Sequence, residues 1–273
     1  MSITSSLFKK SQLFSMKHKK YFEVYDDLFF PYKNKKIIFV EIGIENGGSL
    51  FIWKKFFHKE SIIIGVDANP NCKKLEKYGF NIEIGDQANP RFWTYFFNKY
   101  KKIDIVLDDG GHTNEQQIIT CAQCIPRINN GGLLVTEDTH ASYLPEFSNP
   151  SKYSFINFTK KIIDDINFTY PKLGKFKFSI NKYVYSIRFF ESIVAFYIDK
   201  KKCIMNELIT NNGVRSNIID QKYATNHNVF KILRQNSFYK NFKFFAYLEN
   251  FLIIIKKYIF NKYRNLIINK YFK

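Results

Sequence analysis

Cysteine is scarce in this chain: Cys72, Cys121, Cys124 and Cys203 show no spacing that would make a disulfide framework at this length. Cys121-x-x-Cys124 could open a zinc site, but no second pair follows, so it reads as one face of a buried helix. Long hydrophobic runs are missing as well. The N-terminal stretch MSITSSLFKKSQ has no apolar core of signal-peptide length. Near the C-terminus the longest apolar run, Phe251–Ile255, stops at Lys256-Lys257, too short to cross a bilayer. The expectation is a cytoplasmic protein. Glycine numbers only 12 against 30 Phe and 18 Tyr, a drift in composition that leaves any single Phe or Lys uninformative.

Acids are the minority charge, 24 against 42 Lys and Arg, and the resulting +18 is spread unevenly. Residues 201–273 hold 14 Lys and Arg against 3 acids, a net +11 that leaves only +7 for the first 200 residues. Such a tail suits an anionic partner, including lipid headgroups at the inner membrane face, and suits a solvated lysine-rich face equally well. Within it Phe244, Leu248, Phe251, Leu252, Ile255, Tyr258, Ile259, Leu266 and Ile267 approach helical spacing. That stripe fits packing between subunits of a homo-oligomer, or onto the core, better than a membrane anchor.

The 45% of hydrophobic residues is enough for a sizeable core, and its arrangement points to an α/β fold. Residues 1–35 read as a helical leader, 36–200 as a catalytic domain and 201–273 as a basic helical extension. Five nearly all-apolar runs, Ile37–Gly43, Ser61–Asp67, Asn81–Asp86, Ile103–Asp109 and Gly132–Asp138, each end in glycine or an acid. Runs without polar alternation suit parallel strands covered on both faces. Leu50–His58, Cys72–Tyr78, Arg91–Tyr100 and Asn114–Ile128 are the crossover helices between them. Ser154–Ile166 reads as another helix, and Lys182–Ser192 and Ile193–Lys200 as two antiparallel edge strands. The sum is a doubly wound, mostly parallel, Rossmann-like sheet of seven strands.

In such sheets ligands bind beyond the carboxyl ends of the strands, where the polar clusters of this sequence fall. The first strand runs into VEIGIENGGSL, in which Gly43, Gly47 and Gly48 let backbone approach a ligand and let a helix begin tightly. The spacing is not G-x-G-x-x-G, and Glu41 would repel a pyrophosphate while suiting a sulfonium and an ammonium. Asp67 ends the second strand, where a carboxylate can accept ribose hydroxyls, and Asp86-Gln87 ends the third, in reach of an adenine edge. The fourth and fifth strands end in the adjacent pairs Asp108-Asp109 and Glu137-Asp138. Buried acids need cations or hydrogen bonds. Asp109, Glu137 and Asp138 offer three oxygen donors for a hard divalent ion, although helix capping explains some such acids, Asp108 most readily. His112 follows a Gly-Gly turn beside them, and imidazole is the side chain most used to move a proton near neutral pH.

These motifs, together with the leader KHKKYFEVYDDLF, GVDANP, IGDQANP, DDGGH and EDTHASY, resemble the metal-dependent class I S-adenosylmethionine sugar O-methyltransferases acting on antibiotic deoxysugars, of the mycinamicin and elloramycin rhamnosyl type. Cephalosporin hydroxylase-like proteins share the metal motif. The resemblance runs from Lys17 to Tyr143. It implies that Glu41, Gly43, Ser49, Asp67, Asp86 and Gln87, with Asp108 beside them, hold S-adenosylmethionine. It further implies that Asp109, Glu137 and Asp138 ligate Mg²⁺ or Mn²⁺, and that His112 is the general base. Gly111 and Ala141 depart from the hydroxyl residues common in relatives, which bears on acceptor contacts. His140, Tyr143, Tyr21 and Tyr25 are candidates for those contacts, with packing an equal explanation for the leader tyrosines. The implied acceptor is a sugar hydroxyl in a surface-polysaccharide or glycolipid precursor, with a phosphoramidate or other small capsule precursor as alternative. A nucleic-acid partner is not expected, since the charge lies away from these motifs and no aromatic-basic recognition motif is present. An NAD-dependent oxidoreductase fits neither the glycine spacing nor the acids. A non-catalytic, membrane-associated binding protein would draw only on the tail.

Overall fold

A computed structural model describes residues 2–147, 152–169, 180–214 and scattered positions between 251 and 272. The chain forms two compact units, Met1–Leu208 and Ile209–Lys273. In the first unit the apolar runs form the central strands β1 (Ile38–Ile42), β2 (Ile62–Asp67), β3 (Asn81–Ile84), β4 (Ile103–Asp108) and β5 (Ile128–Thr136). The edge pair is β6 (Val184–Phe190) and β7 (Ile193–Ile198). They make one seven-stranded sheet in the order β3-β2-β1-β4-β5-β7-β6, parallel through β5, with β7 antiparallel to both neighbours.

Both faces are covered, which is why the strands carry so little polar alternation. On one face Phe39, Leu107 and Val135 pack with α2 (Tyr21–Phe29) and α3 (Gly48–Phe56), whose Trp53 is fully buried among Tyr25, Phe29 and Phe39. On the other, Val40, Val106 and Leu134 meet α4 (Pro90–Lys99), α5 (Asn114–Cys124) and α6 (Phe155–Phe168). Helix α4 presents Phe92, Trp93, Phe96 and Phe97 inward and starts at an Asn89 cap followed by Pro90. A capping box between Thr113 and Gln116 starts α5, and Cys121 and Cys124 lie buried on its inner face as free thiols.

The helical leader holds two helices, α1 (Ile3–Phe8) and α2, flanking an irregular stretch over residues 9–20. Tyr21, Phe22, Tyr25, Leu28 and Phe29 of α2 belong to the core of the sheet. The crossover at Pro70–Tyr78 is a 3-10 helix, begun at Pro70 and stopped by Gly79 in the left-handed region. Residues 201–214 are irregular, whereas the described positions from 251 to 268 are helical, with Phe251, Ile254, Tyr258, Ile259 and Leu266 exposed. The expected tail residues Phe244, Leu248, Leu252 and Ile267 lie outside the described residues. No helix among the described residues is long and apolar enough to cross a membrane.

Candidate functional site

The strand order reverses between β1 and β4, and a crevice opens there at the carboxyl end of the sheet. Parallel register carries the key residues to it in step. Ile42 pairs with Asp108 and Asp108 with Thr136. Beyond these pairs the backbone ladder continues, with Asp109 N donating to Ile42 O at 3.0 Å and Glu137 N to Asp108 O at 2.9 Å. A Cβ on Gly43, whose φ is +79°, would meet Asp109 O at 2.0 Å, so only glycine lets β1 and β4 end this close.

The crevice holds a cavity of about 480 Å³, lined among others by Gly43, Asp67, Asp86, Gln87, Asp109, His112 and Asp138. Asp67 is held by three backbone N–H groups, those of Ile44 and Glu45 on Oδ2 (both 3.0 Å) and Asn69 on Oδ1 (2.8 Å). Asp86 is exposed and accepts from Ala88 N. Gln87 is more strut than recognition group: its Nε2 donates to Asp108 Oδ1 and Thr120 Oγ1, and its Oε1 accepts from Gly111 N. The remaining donor-side candidates stand behind the wall. Glu41 is fully buried and accepts from Ser49 Oγ at 2.8 Å, and Asp108 is 1% exposed. Burial pushes each of these two carboxyls up to about 7.

The two acid pairs divide in the same way. Glu137 turns inward and is fully buried, accepting from Tyr25 Oη at 2.6 Å. Asp138, in the left-handed region at φ 51°, turns outward to Tyr21 Oη, to His112 Nε2 at 3.3 Å, and toward His18 and His140 at 3.8 and 3.9 Å. Of the expected trio, Asp109 and Glu137 meet at one ammonium, that of Lys17, and Asp138 faces the cavity beside them. What converges is Asp109, His112 and Asp138, whose ligand atoms lie within 4.8 Å of one another. His18, Asp138 and His140 form a second such group.

Among Asp109, Glu137 and Glu41 sits a residue that sequence reasoning missed. Lys17, whose side chain is 2% exposed, places its ammonium against Asp109 Oδ2, at 3.2 and 3.1 Å from the two oxygens of Glu137, and at 3.7 Å from Glu41 Oε1. Burial alone would lower its pKa; the charges of Glu137, Asp109 and Glu41 outweigh that and raise it well above the ordinary lysine range. Glu137 is nonetheless raised, chiefly by its own burial and by Asp109. One ammonium meets a cluster of five acids, of which burial pushes Glu41, Asp108 and Glu137 toward the neutral form. Asp109 and Asp138 line the cavity, and carboxylate oxygens are the donors Mg²⁺ or Mn²⁺ prefers. Among the described residues, His112 Nδ1 is buried without a hydrogen-bond partner. Outside this cavity, His140 and Tyr143 line a neighbouring one of about 450 Å³ with Lys160, Phe189 and Phe190.

The order of this sheet, with its antiparallel seventh strand, defines the class I methyltransferase fold. No family model matches the chain. Its relatives include demethylmacrocin O-methyltransferase of Streptomyces fradiae, 34% identical over 154 residues, which are 52% of this chain and 38% of that protein. The 8-demethyl-8-alpha-L-rhamnosyl tetracenomycin-C 2'-O-methyltransferase of Streptomyces olivaceus is 29% identical over 157 residues, 54% of this chain and 41% of the relative. The chain thus matches about two fifths of the length of these curated relatives. Among solved structures, MycE methyltransferase from the mycinamycin biosynthetic pathway, in complex with Mg and SAH, superposes with a TM-score of 0.64 at 25% identity, covering 72% of this chain and 54% of that one. The resemblance read from the motifs is borne out: the homologues are sugar O-methyltransferases.

Proposed function

We propose that the protein is an S-adenosylmethionine-dependent O-methyltransferase that acts on a sugar hydroxyl with the help of a divalent ion. The observation that carries this reading is one continuous cavity running from Asp67 and Asp86 to Asp109, His112 and Asp138. Its first part has the acids that suit a nucleoside. Its second has an acid-rich end beside an imidazole. A bound Mg²⁺ or Mn²⁺ supplies positive charge that stabilises the alkoxide developing on the acceptor.

The chain's own residues do the rest. Asp67, fixed by three N–H groups, receives the ribose hydroxyls of the donor, and Asp86 meets the adenine side. Gly43 keeps the floor of the cavity low enough for the donor to lie along it. Asp109 and Asp138, with Glu137 behind them, would hold the ion, since carboxylates suit a hard cation better than imidazole does; that leaves His112 Nε2 to take the acceptor's proton. Tyr21, by donating to Asp138, keeps that carboxylate aimed at the cavity. His140 and Tyr143 border the neighbouring cavity and contact the acceptor there.

The relatives named above take antibiotic glycosides, and we extend the reading to a sugar unit of a surface-polysaccharide or glycolipid precursor, methylated in the cytoplasm where the donor is made. The test is transfer of label from S-adenosylmethionine to a panel of antibiotic glycosides, nucleotide-linked sugars and glycan precursors, with Mg²⁺ or Mn²⁺ and with chelator. Transfer to a sugar that stops on chelation is the expected result. Undiminished turnover in chelator rejects the ion, and donor that fails to bind in calorimetry rejects the reading.

A further inference from the structure

Histidine is rare in this chain, five residues against 42 Lys and Arg, so a gathering of imidazoles is informative where a lysine is not. Three of the five surround one carboxylate. His18 comes from the irregular stretch before α2, His112 from the turn after β4 and His140 from the 3-10 turn after β5; Asp138 is their common neighbour. The two oxygens of Asp138 divide them. Oδ2 is 3.3 Å from Nε2 of His112, which lines the donor cavity. Oδ1 is 3.8 Å from His18 Nε2 and 3.9 Å from His140 Nδ1, and these two imidazoles line a different cavity, of about 390 Å³.

His18, Asp138 and His140 each offer a ligand atom, all within 4.8 Å of one another. Zn²⁺ bonds of about 2.1 Å set tetrahedral neighbours roughly 3.4 Å apart, so the imidazoles have to close on Oδ1 by about half an ångström. They have the room. Their side chains are 66% and 43% exposed, and the cavity they border gives an ion a way in. Tyr21 Oη donates to the same Oδ1 and fixes the carboxylate, as outer partners of a ligating group do. Ser192 Oγ, 3.0 Å from His140 Nδ1, is a hydroxyl rotor that can turn aside. Lys20, on the cavity wall, is answered by Glu191.

We propose that His18, Asp138 and His140 form a second metal site, for a Zn²⁺-class ion, which shares Asp138 with the hard-ion site and leaves the ligands of that site in place. The two sites sort their ions by donor chemistry: two imidazoles and one carboxylate oxygen suit Zn²⁺ or Cu²⁺, whereas a set of carboxylates suits Mg²⁺ or Mn²⁺. Filling the second site takes His140 from the acceptor and lowers turnover. That consequence rests on the methyl-transfer reading above; the binding itself does not.

The experiment titrates the full chain with Zn²⁺ by calorimetry in saturating Mg²⁺, and with Cu²⁺ followed by electron paramagnetic resonance. The parent should take up a Zn²⁺ ion that Mg²⁺ does not displace, and bound Cu²⁺ should show coupling to two imidazole nitrogens. His18→Ala and His140→Ala should each remove one coupling and weaken Zn²⁺ by about tenfold or more, since losing even a ligand's outer partner costs about 10- to 100-fold. His112→Ala should keep both couplings. His58→Ala, beyond the C-terminus of α3, should leave Zn²⁺ affinity within about threefold of the parent. Zn²⁺ binding that falls with His112→Ala and not with His18→Ala belongs to the hard-ion site and overturns the proposal. So does Zn²⁺ that Mg²⁺ displaces, or a parent that binds no Zn²⁺. A parent that holds Zn²⁺ at His18 and His140 but binds no Mn²⁺ supports this site and ends the hard-ion reading alone.

Discussion

Asp108-Asp109 and Glu137-Asp138 are the same device built twice, at the ends of neighbouring parallel strands, yet their inner members are handled differently. Among the described residues Asp108 is met by dipoles: Gln87 Nε2 at 2.9 Å and Gly110 N at 3.3 Å, both on Oδ1, while Oδ2 has no hydrogen-bond partner there. Glu137 is met by a full charge and a phenol, Lys17 and Tyr25. A third buried acid, Asp165 on α6, has neither, and both of its oxygens are without hydrogen-bond partners among the described residues. A buried carboxyl can be balanced by a cation, eased by amides or simply pushed toward its neutral form, and the three choices have different consequences when a partner is removed. The outer members, Asp109 and Asp138, are kept ready for something else.

Breaking the outer members should have the largest effect. Asp109→Asn or Asp138→Asn should lower turnover by roughly a hundredfold or more, as expected from losing several kcal/mol of charge stabilisation. Donor affinity in calorimetry should stay near the parent value; a parallel loss of donor binding would assign these acids to the donor instead. Next comes His112→Ala, expected to cost about 10²–10⁴ in kcat with donor affinity intact. An unchanged kcat would remove it as the base.

Smaller effects belong to the inner acids. Lys17→Met in chelator should destabilise the fold by about 3–5 kcal/mol, the cost of stripping one partner from a buried ionic cluster, read from denaturant midpoints. Asp108→Asn should cost no more than about 1 kcal/mol, because its acceptor oxygen keeps both donors. Equal losses for these two would erase the distinction between charge and dipole.

Asp165 sharpens it further. Burial, helped by the charge of Asp164, pushes its carboxyl up to about 6. An acid whose folded pKa is raised gives full stability below its ordinary range near 4 and loses that contribution as pH rises through about 6. Asp165→Asn should therefore match the parent at pH 4 and exceed it at pH 8 by about 1–3 kcal/mol. A gain that does not depend on pH would mean the carboxyl stays neutral throughout.

Much of this was legible before any coordinates. Runs such as Ile103–Asp108 announced buried parallel strands because both faces are covered and no polar residue has to alternate. Their terminal acids and glycines marked the ligand end because polar groups at a sheet's carboxyl edge have few other reasons to cluster. Boundaries were less legible. Strand β5 begins at Ile128, through a stretch Asn129-Asn130-Gly131 that reads as a turn, because it is pulled into register by pairing of Ile103 with Ile128. Tyr21 and Tyr25 stood one helical turn apart and fitted packing or acceptor contact equally; only the fold showed them donating to Asp138 and Glu137.

The sequence by itself determined the layers, the strand order's rhythm and which end of the sheet would be acidic, since these follow from local hydrophobic pattern and from residue chemistry. Tertiary structure alone decided which acid of each pair faces the cavity, because a peptide plane turned by one residue reverses a side chain. It alone chose Lys17 from among 42 basic residues, because a cation's partner is set by where the chain folds back and not by the neighbours it has in sequence.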